Sequence, residues 1–142
     1  MTNRPTRAGR WLHAHLGRRG ECLVFFGSLD LVYAWSMFTA DSRLIQSNAT
    51  FHWVSGIAPM SAWAVLWTVV GAICLYHAFQ QYDRFGFIAA VGIKVVWGLI
   101  SLGGCATDNV SVGSVGIWLG LAGLVWRISG WREPEPGSDD ET

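Results

Sequence analysis

Lys94 lies in the middle of FIAAVGIKVVWGLIS, Phe87 to Ser101, a stretch apolar enough to sit in hydrocarbon. It is the only lysine in the chain; the other nine basic residues are arginines. Its counterpart is Asp30, inside the equally apolar ECLVFFGSLDLVYAWSMFTA, Glu21 to Ala40. A lysine or aspartate at the centre of a membrane helix costs about 2.5–3.5 kcal/mol on insertion scales. Such residues face a bundle interior, pair with each other, or carry protons and ions. Three readings follow. The two charges form a buried pair that fixes how two helices meet. They line a proton or ion path. Or Lys94 snorkels to an interface while Asp30 stays protonated. Ser28 and Tyr33 can extend a polar path from Asp30, or simply satisfy the pair.

These groups need elements to hold them. Four apolar runs stand out, at about 21–40, 61–79, 85–103 and 110–129. Each is close to the ~20 residues that cross a hydrocarbon core about 30 Å thick. Helices satisfy their own backbone in lipid, and strands this long would be anomalous. A soluble helix needs a polar face, which the third and fourth runs lack. The expected fold is all-α: a polytopic membrane protein built as a four-transmembrane-helix bundle over residues 21–131. Short connections make neighbouring helices antiparallel, so the first and third run the same way. Asp30 stands nine residues past Glu21, and Lys94 nine past Phe85. The two charges therefore share one depth near mid-membrane.

Composition narrows the function. Apolar residues make up 51% and charged residues 14%, against a usual quarter charged. Zero net charge argues against a nucleic-acid partner, which wants a basic face. Cys22, Cys74 and Cys105 have no metal-ligand or disulfide-framework spacing. His13 and His15 have no acidic or cysteine partner nearby, so no metal is expected. His77 reads as a polar tip at the inner end of the second helix, and His52 as an exposed loop residue. No phosphate loop, nucleophile elbow, paired carboxylates or HExxH occurs. Neither an enzyme nor a cofactor is expected. Nine tryptophans suit membrane interfaces.

Orientation follows from the arginines. Arg4, Arg7, Arg10, Arg18, Arg19, Arg84, Arg127 and Arg132 fall on one side of the bilayer, and only Arg43 on the other. Both termini should be cytoplasmic. Residues 1–20 then form a basic amphipathic arm on the inner leaflet, with Trp11, Leu12 and Leu16 dipping in. Residues 132–142 form an acidic, disordered tail. The first run is too long for a cleaved signal peptide, and Asp30 interrupts it. The one long connection, Asp41 to Met60, should lie on the surface through Leu44, Ile45, Phe51, Trp53 and Ile57.

Small residues predict which faces pack. Gly27 and Ala34 share a stripe with Asp30. Gly86, Ala90, Gly98 and Ser101 share one with Lys94. In the fourth helix, Gly113, Gly116, Gly120 and Gly123 are spaced 3, 4 and 3 and include the GxxxG of GIWLG. Packing within the bundle is the expected use of this last stripe, with Gly120 against another helix. Dimerisation is the alternative.

CLVFFGSLDLVYAWSMF, IAPMSAWAVLWTVVGAICLYHAFQQYDRFGFIAAVGIKVVWGLISLGG and GIWLGLAGLVWRISGW together resemble the small four-helix membrane proteins of actinobacterial phages and prophages. Those genes often lie among tail and lysis genes, and some members are holin-like. The resemblance covers Glu21 to Trp131. It implies permeabilisation of the host inner membrane or an accessory role in lysis, with the lipid bilayer as partner and homo-oligomers as one outcome. The acidic EPEPGSDDET departs from the basic C-terminus usual in holins. Two other classes stay open: a proton- or ion-coupled channel or transporter subunit using Asp30 and Lys94, and a structural or assembly protein recruited through its arm or tail.

The topology is testable in intact cells. An impermeant maleimide should label Cys105, on the outer side, and spare Cys22 at the inner interface. The reverse labelling would invert the orientation.

Overall fold

The computed structural model describes residues 7–80, 83–107 and 109–131, with side chains from residue 18 onward. Six helices follow in order: α1 (Arg7–Phe38), α2 (Ser42–Ser47), α3 (Ala49–Ser55), α4 (Met60–Ala78), α5 (Arg84–Ala106) and α6 (Val112–Ser129). No strand occurs among the described residues. Four segments are long and apolar enough to cross a membrane: Arg18–Phe38, Met60–Ala78, Arg84–Ala106 and Val112–Ser129. The chain is an all-α, multi-pass membrane bundle, as the apolar runs require.

The first element differs from expectation. No break separates an arm ending at residue 20 from the first span, because α1 is one helix from Arg7 to Phe38. A helix already nucleated in the span grows by one hydrogen bond per residue. Ala8, Arg10, Leu12, Ala14 and Leu16 are good helix formers. The helix ends two residues before Ala40. The Thr39 hydroxyl donates to the Trp35 carbonyl at 2.9 Å. Asp41 then caps α2 by accepting the Leu44 N–H at 2.7 Å, and Asn48 caps α3 by accepting the Phe51 N–H at 3.1 Å. The acidic tail expected at 132–142 lies outside the described residues.

The long connection does more than lie on a surface. Leu44 and Ile57 are exposed, but Phe51 and Val54 are buried. The Trp53 indole N–H donates to the Ile100 carbonyl of α5, and that of Trp63 to the Val54 carbonyl, both at 3.1 Å. Thus α3 plugs one end of the bundle with its aromatic residues. His52 is exposed beside it.

Around the bundle α1 packs along α4, α4 along α5 and α5 along α6, while α1 touches α6 at few positions. Glycines set the closest approach. A Cβ on Gly71 would come 2.9 Å from the Gly27 carbonyl oxygen, and one on Gly27 3.0 Å from that of Gly71. The backbones of α1 and α4 touch there with nothing between. On α5, Gly86 lies against His77 and Leu23, and Gly98 receives Leu119 of α6. The small-residue stripes of α1 and α5 face inward, as expected.

The stripe on α6 does not. Gly113, Gly116, Gly120 and Gly123 are all exposed. A Cβ on Gly116, Gly120 or Gly123 would meet nothing within 4 Å. The inward face is Val115, Trp118, Ala122 and Val125, of which Trp118 is half-buried and the others buried. That series has the same 3, 4, 3 spacing, two residues out of step, which places it about 200° round the helix. The bulkier face gains the dispersion contacts that glycine cannot offer, so the two faces exchange roles.

Gly71→Leu and Gly120→Leu should therefore part company. Overpacking costs about 1–3 kcal/mol where there is no room, so Gly71→Leu should lower the melting temperature in detergent. Gly120→Leu should leave it unchanged. Equal melting of both variants would contradict the α1–α4 contact.

Candidate functional site

Asp30 and Lys94 meet. The Lys94 ammonium donates to Asp30 Oδ1 at 2.7 Å and to Oδ2 at 3.0 Å. Both side chains are 0% exposed. The pair joins α1 to α5 across the bundle, although each helix packs more extensively on α4. This excludes a Lys94 that snorkels away from an unpartnered Asp30. The close approach at Gly27, three residues before Asp30, helps the carboxylate reach inward past α4.

Rings complete the ammonium's surroundings. Its nitrogen lies 5.4 Å from the centroid of Phe26 and 5.6 Å from that of Trp67. Aromatic faces attract a cation, and more so where water is excluded. On the α3 side of the pair, rings from all four spans gather. Tyr33 of α1 stacks edge-on with Trp67 of α4 at 4.7 Å and with Trp97 of α5 at 5.8 Å. Trp118 of α6 lies 5.1 Å from Tyr33, and Trp63 lies 5.4 Å from Trp97. Trp67 and Trp97 are fully buried, which corrects the assignment of the tryptophans to interfaces. The signal was in the sequence: Trp97 stands one turn past Lys94, on the same face. Ser28 is exposed and takes no part in a polar path, whereas Tyr33 belongs to the aromatic cluster.

Among the described residues, the buried donors Trp67 Nε1, Trp97 Nε1 and Ser101 Oγ have no hydrogen-bond partner. All are donors on α4 or α5, and Ser101 is two turns past Lys94. The second tie between α1 and the α5 region was not foreseen. Arg19 pairs with Asp83 at 2.9 Å and lies over the Phe87 ring, 5.2 Å from its centroid. Asp83 sits in a short connection, where sequence pattern gives no hint of a partner 64 residues away. His77 is half-buried, with its ring near those of Tyr76 and Phe85. The side chains of His13 and His15 lie outside the described residues. Among the described residues no three His, Cys, Asp or Glu side chains are grouped as metal ligands.

The arrangement can do two things chemically. As an ion pair it locks α1 and α5 in one register. One further proton taken up by the carboxylate leaves neutral Asp30 beside the Lys94 ammonium, a net charge of +1 that is lost again when that proton leaves, so the same pair offers a site for a proton in transit. In comparisons with known proteins the chain matches no family model, no curated sequence and no solved structure.

Removing one partner leaves a charge in low dielectric, which costs about 3–5 kcal/mol for a buried pair. Asp30→Asn and Lys94→Met should each lower folded yield and stability. The double variant should recover most of the loss. Simple addition of the two single losses, with no coupling in the double-mutant cycle, would show that the pair contributes nothing jointly.

Proposed function

We propose that the chain is a phage-type membrane protein that acts in the bacterial host's inner membrane by lateral assembly of copies, permeabilising the bilayer as holins do. The observation carrying this reading is the outward glycine face of α6. Glycine on lipid forgoes side-chain contact, but against another helix it permits close backbone approach. The interior of a single bundle is filled by the Asp30–Lys94 pair and the aromatic cluster, which favours leakage between copies over leakage through one. Arg18, Arg19, Arg84 and Arg127 lie at the end of the bundle where the Arg18–Phe38 span begins and α6 finishes, and Arg43 at the other. The positive-inside rule then supports cytoplasmic termini.

A second reading has its own support. Ionisable side chains inside a membrane bundle mark ion pathways and proton relays, and Asp30 and Lys94 are fully buried, so a proton- or ion-coupled channel or transporter subunit is the alternative.

Induced expression in bacteria, followed with a membrane-potential dye, tests both. Wild type should collapse the potential. Gly120→Leu should abolish the collapse while the protein still accumulates folded in the membrane. The double variant Asp30→Asn with Lys94→Met should keep the effect. A well-folded but inactive double variant, with Gly120→Leu fully active, would replace the first reading with the second.

A further inference from the structure

A serine or threonine inside a helix has a ready partner in its own backbone, three or four residues back. Ser36 donates to the Tyr33 carbonyl at 2.7 Å, Thr68 to that of Ala64 at 2.8 Å and Ser129 to that of Trp126 at 2.7 Å. Ser101 of α5 is fully buried and makes no such bond. Its hydroxyl is therefore turned off its own helix at a position closed to solvent.

The indoles divide in the same way. Trp53 of α3 and Trp63 of α4 donate to the Ile100 and Val54 carbonyls. Trp67 and Trp97 are buried more deeply, and their N–H groups meet no acceptor among the described residues. A buried indole N–H ordinarily finds one, because a bond left unmade inside the protein is costly.

The three donors share a region. Lys94, Trp97 and Ser101 fall within about 60° of the circumference of α5. The Trp67 ring lies 5.5 Å from that of Trp97 and 5.6 Å from the Lys94 nitrogen. Ser101 stands about 10 Å past Lys94, at 1.5 Å per residue, toward the end that α3 plugs. What this region lacks is an acceptor. Indole nitrogen only donates, and both Asp30 oxygens are engaged by Lys94. The other side of the pair makes no such demand. Leu23, Phe26, Phe87 and Ala90 there are buried and apolar, and the Cys74 thiol is bonded to the Gly86 carbonyl.

We propose that buried water occupies the interior between the charge pair and the α3 plug, accepting hydrogen bonds from Trp67, Trp97 and Ser101. Water settles inside proteins where about three otherwise unmet polar groups surround it. It suits this place better than a halide ion. Its own protons can turn to the remaining lone pairs of the Asp30 carboxylate, whereas that carboxylate repels an anion. The site depends on neither lateral assembly nor proton transport. It makes the surroundings of the pair polar on the α3 side and apolar on the other.

The test observes the indole N–H resonances of the full chain, isotope-labelled at its tryptophans and held in deuterated detergent. Through-bond experiments assign them. The Trp97 and Trp67 N–H protons should each show a cross-relaxation peak at the water frequency. A hydroxyl proton in exchange with water resonates there too, so the peak of Trp97 must survive both Ser101→Ala and Tyr33→Phe. Its loss in either variant would assign it to that hydroxyl and overturn the proposal. So would the absence of a Trp97 peak in the unaltered chain. Exchanging chloride for gluconate should leave the Trp97 resonance in place; a shift would put a halide ion there instead of water.

Discussion

A carboxylate and an ammonium are each expensive in hydrocarbon, and together they are affordable only in contact. The bond between Asp30 and Lys94 therefore constrains everything around it. Lipid provides no hydrophobic force to press one apolar helix on another, so position must come from shape and from polar contacts. The pair gives α1 and α5 one mutual register, because sliding either helix by a turn would separate the charges. A well-packed hydrophobic pair can match a buried ion pair in stability. What such a pair cannot match is the penalty for every wrong arrangement.

The packing serves that contact. Gly27 and Gly71 let α1 lie directly on α4, and Asp30 follows on the same face of α1. Phe26 and Trp67 cover the ammonium. Arg19 with Asp83 ties the same two regions nearer the chain termini, and Tyr33 with Trp97 ties them on the α3 side. Three contacts at three levels thus hold one alignment. On the far side of the aromatic cluster, α3 closes the bundle with Phe51 and the Trp53 bond to Ile100.

The four spans and the charge pair could be read from the sequence for one reason: hydrocarbon penalises exposed backbone and lone charges heavily, so few arrangements survive. The face of α6 could not. Its glycine series and its Val115–Trp118–Ala122–Val125 series have one spacing and lie on opposite sides, so periodicity supports both equally. Only the shape of α5, with Gly98 open to Leu119, decides between them. The continuity of α1 was hidden because a run of arginines and histidines marks a change of solvent, which a helix can cross without ending. Asp83 and the inward tryptophans were hidden because their partners are remote in sequence. Tryptophan's preference for interfaces describes Trp35 and Trp126, both exposed, but not Trp67 or Trp97.

The transmembrane electric field offers a different view of the bonded pair. A single charge crossing the full membrane gains or loses about 2.3 kcal/mol per 100 mV. Asp30 and Lys94 together carry no net charge, and their bonded atoms are 2.7 Å apart. Even aligned fully with the field, that separation covers about a tenth of a 30 Å core, so 100 mV changes the pair's energy by only about 0.2 kcal/mol. The bundle is organised by two full charges in mid-membrane and is nevertheless almost indifferent to voltage. Energising or depolarising the membrane would leave this bond in place.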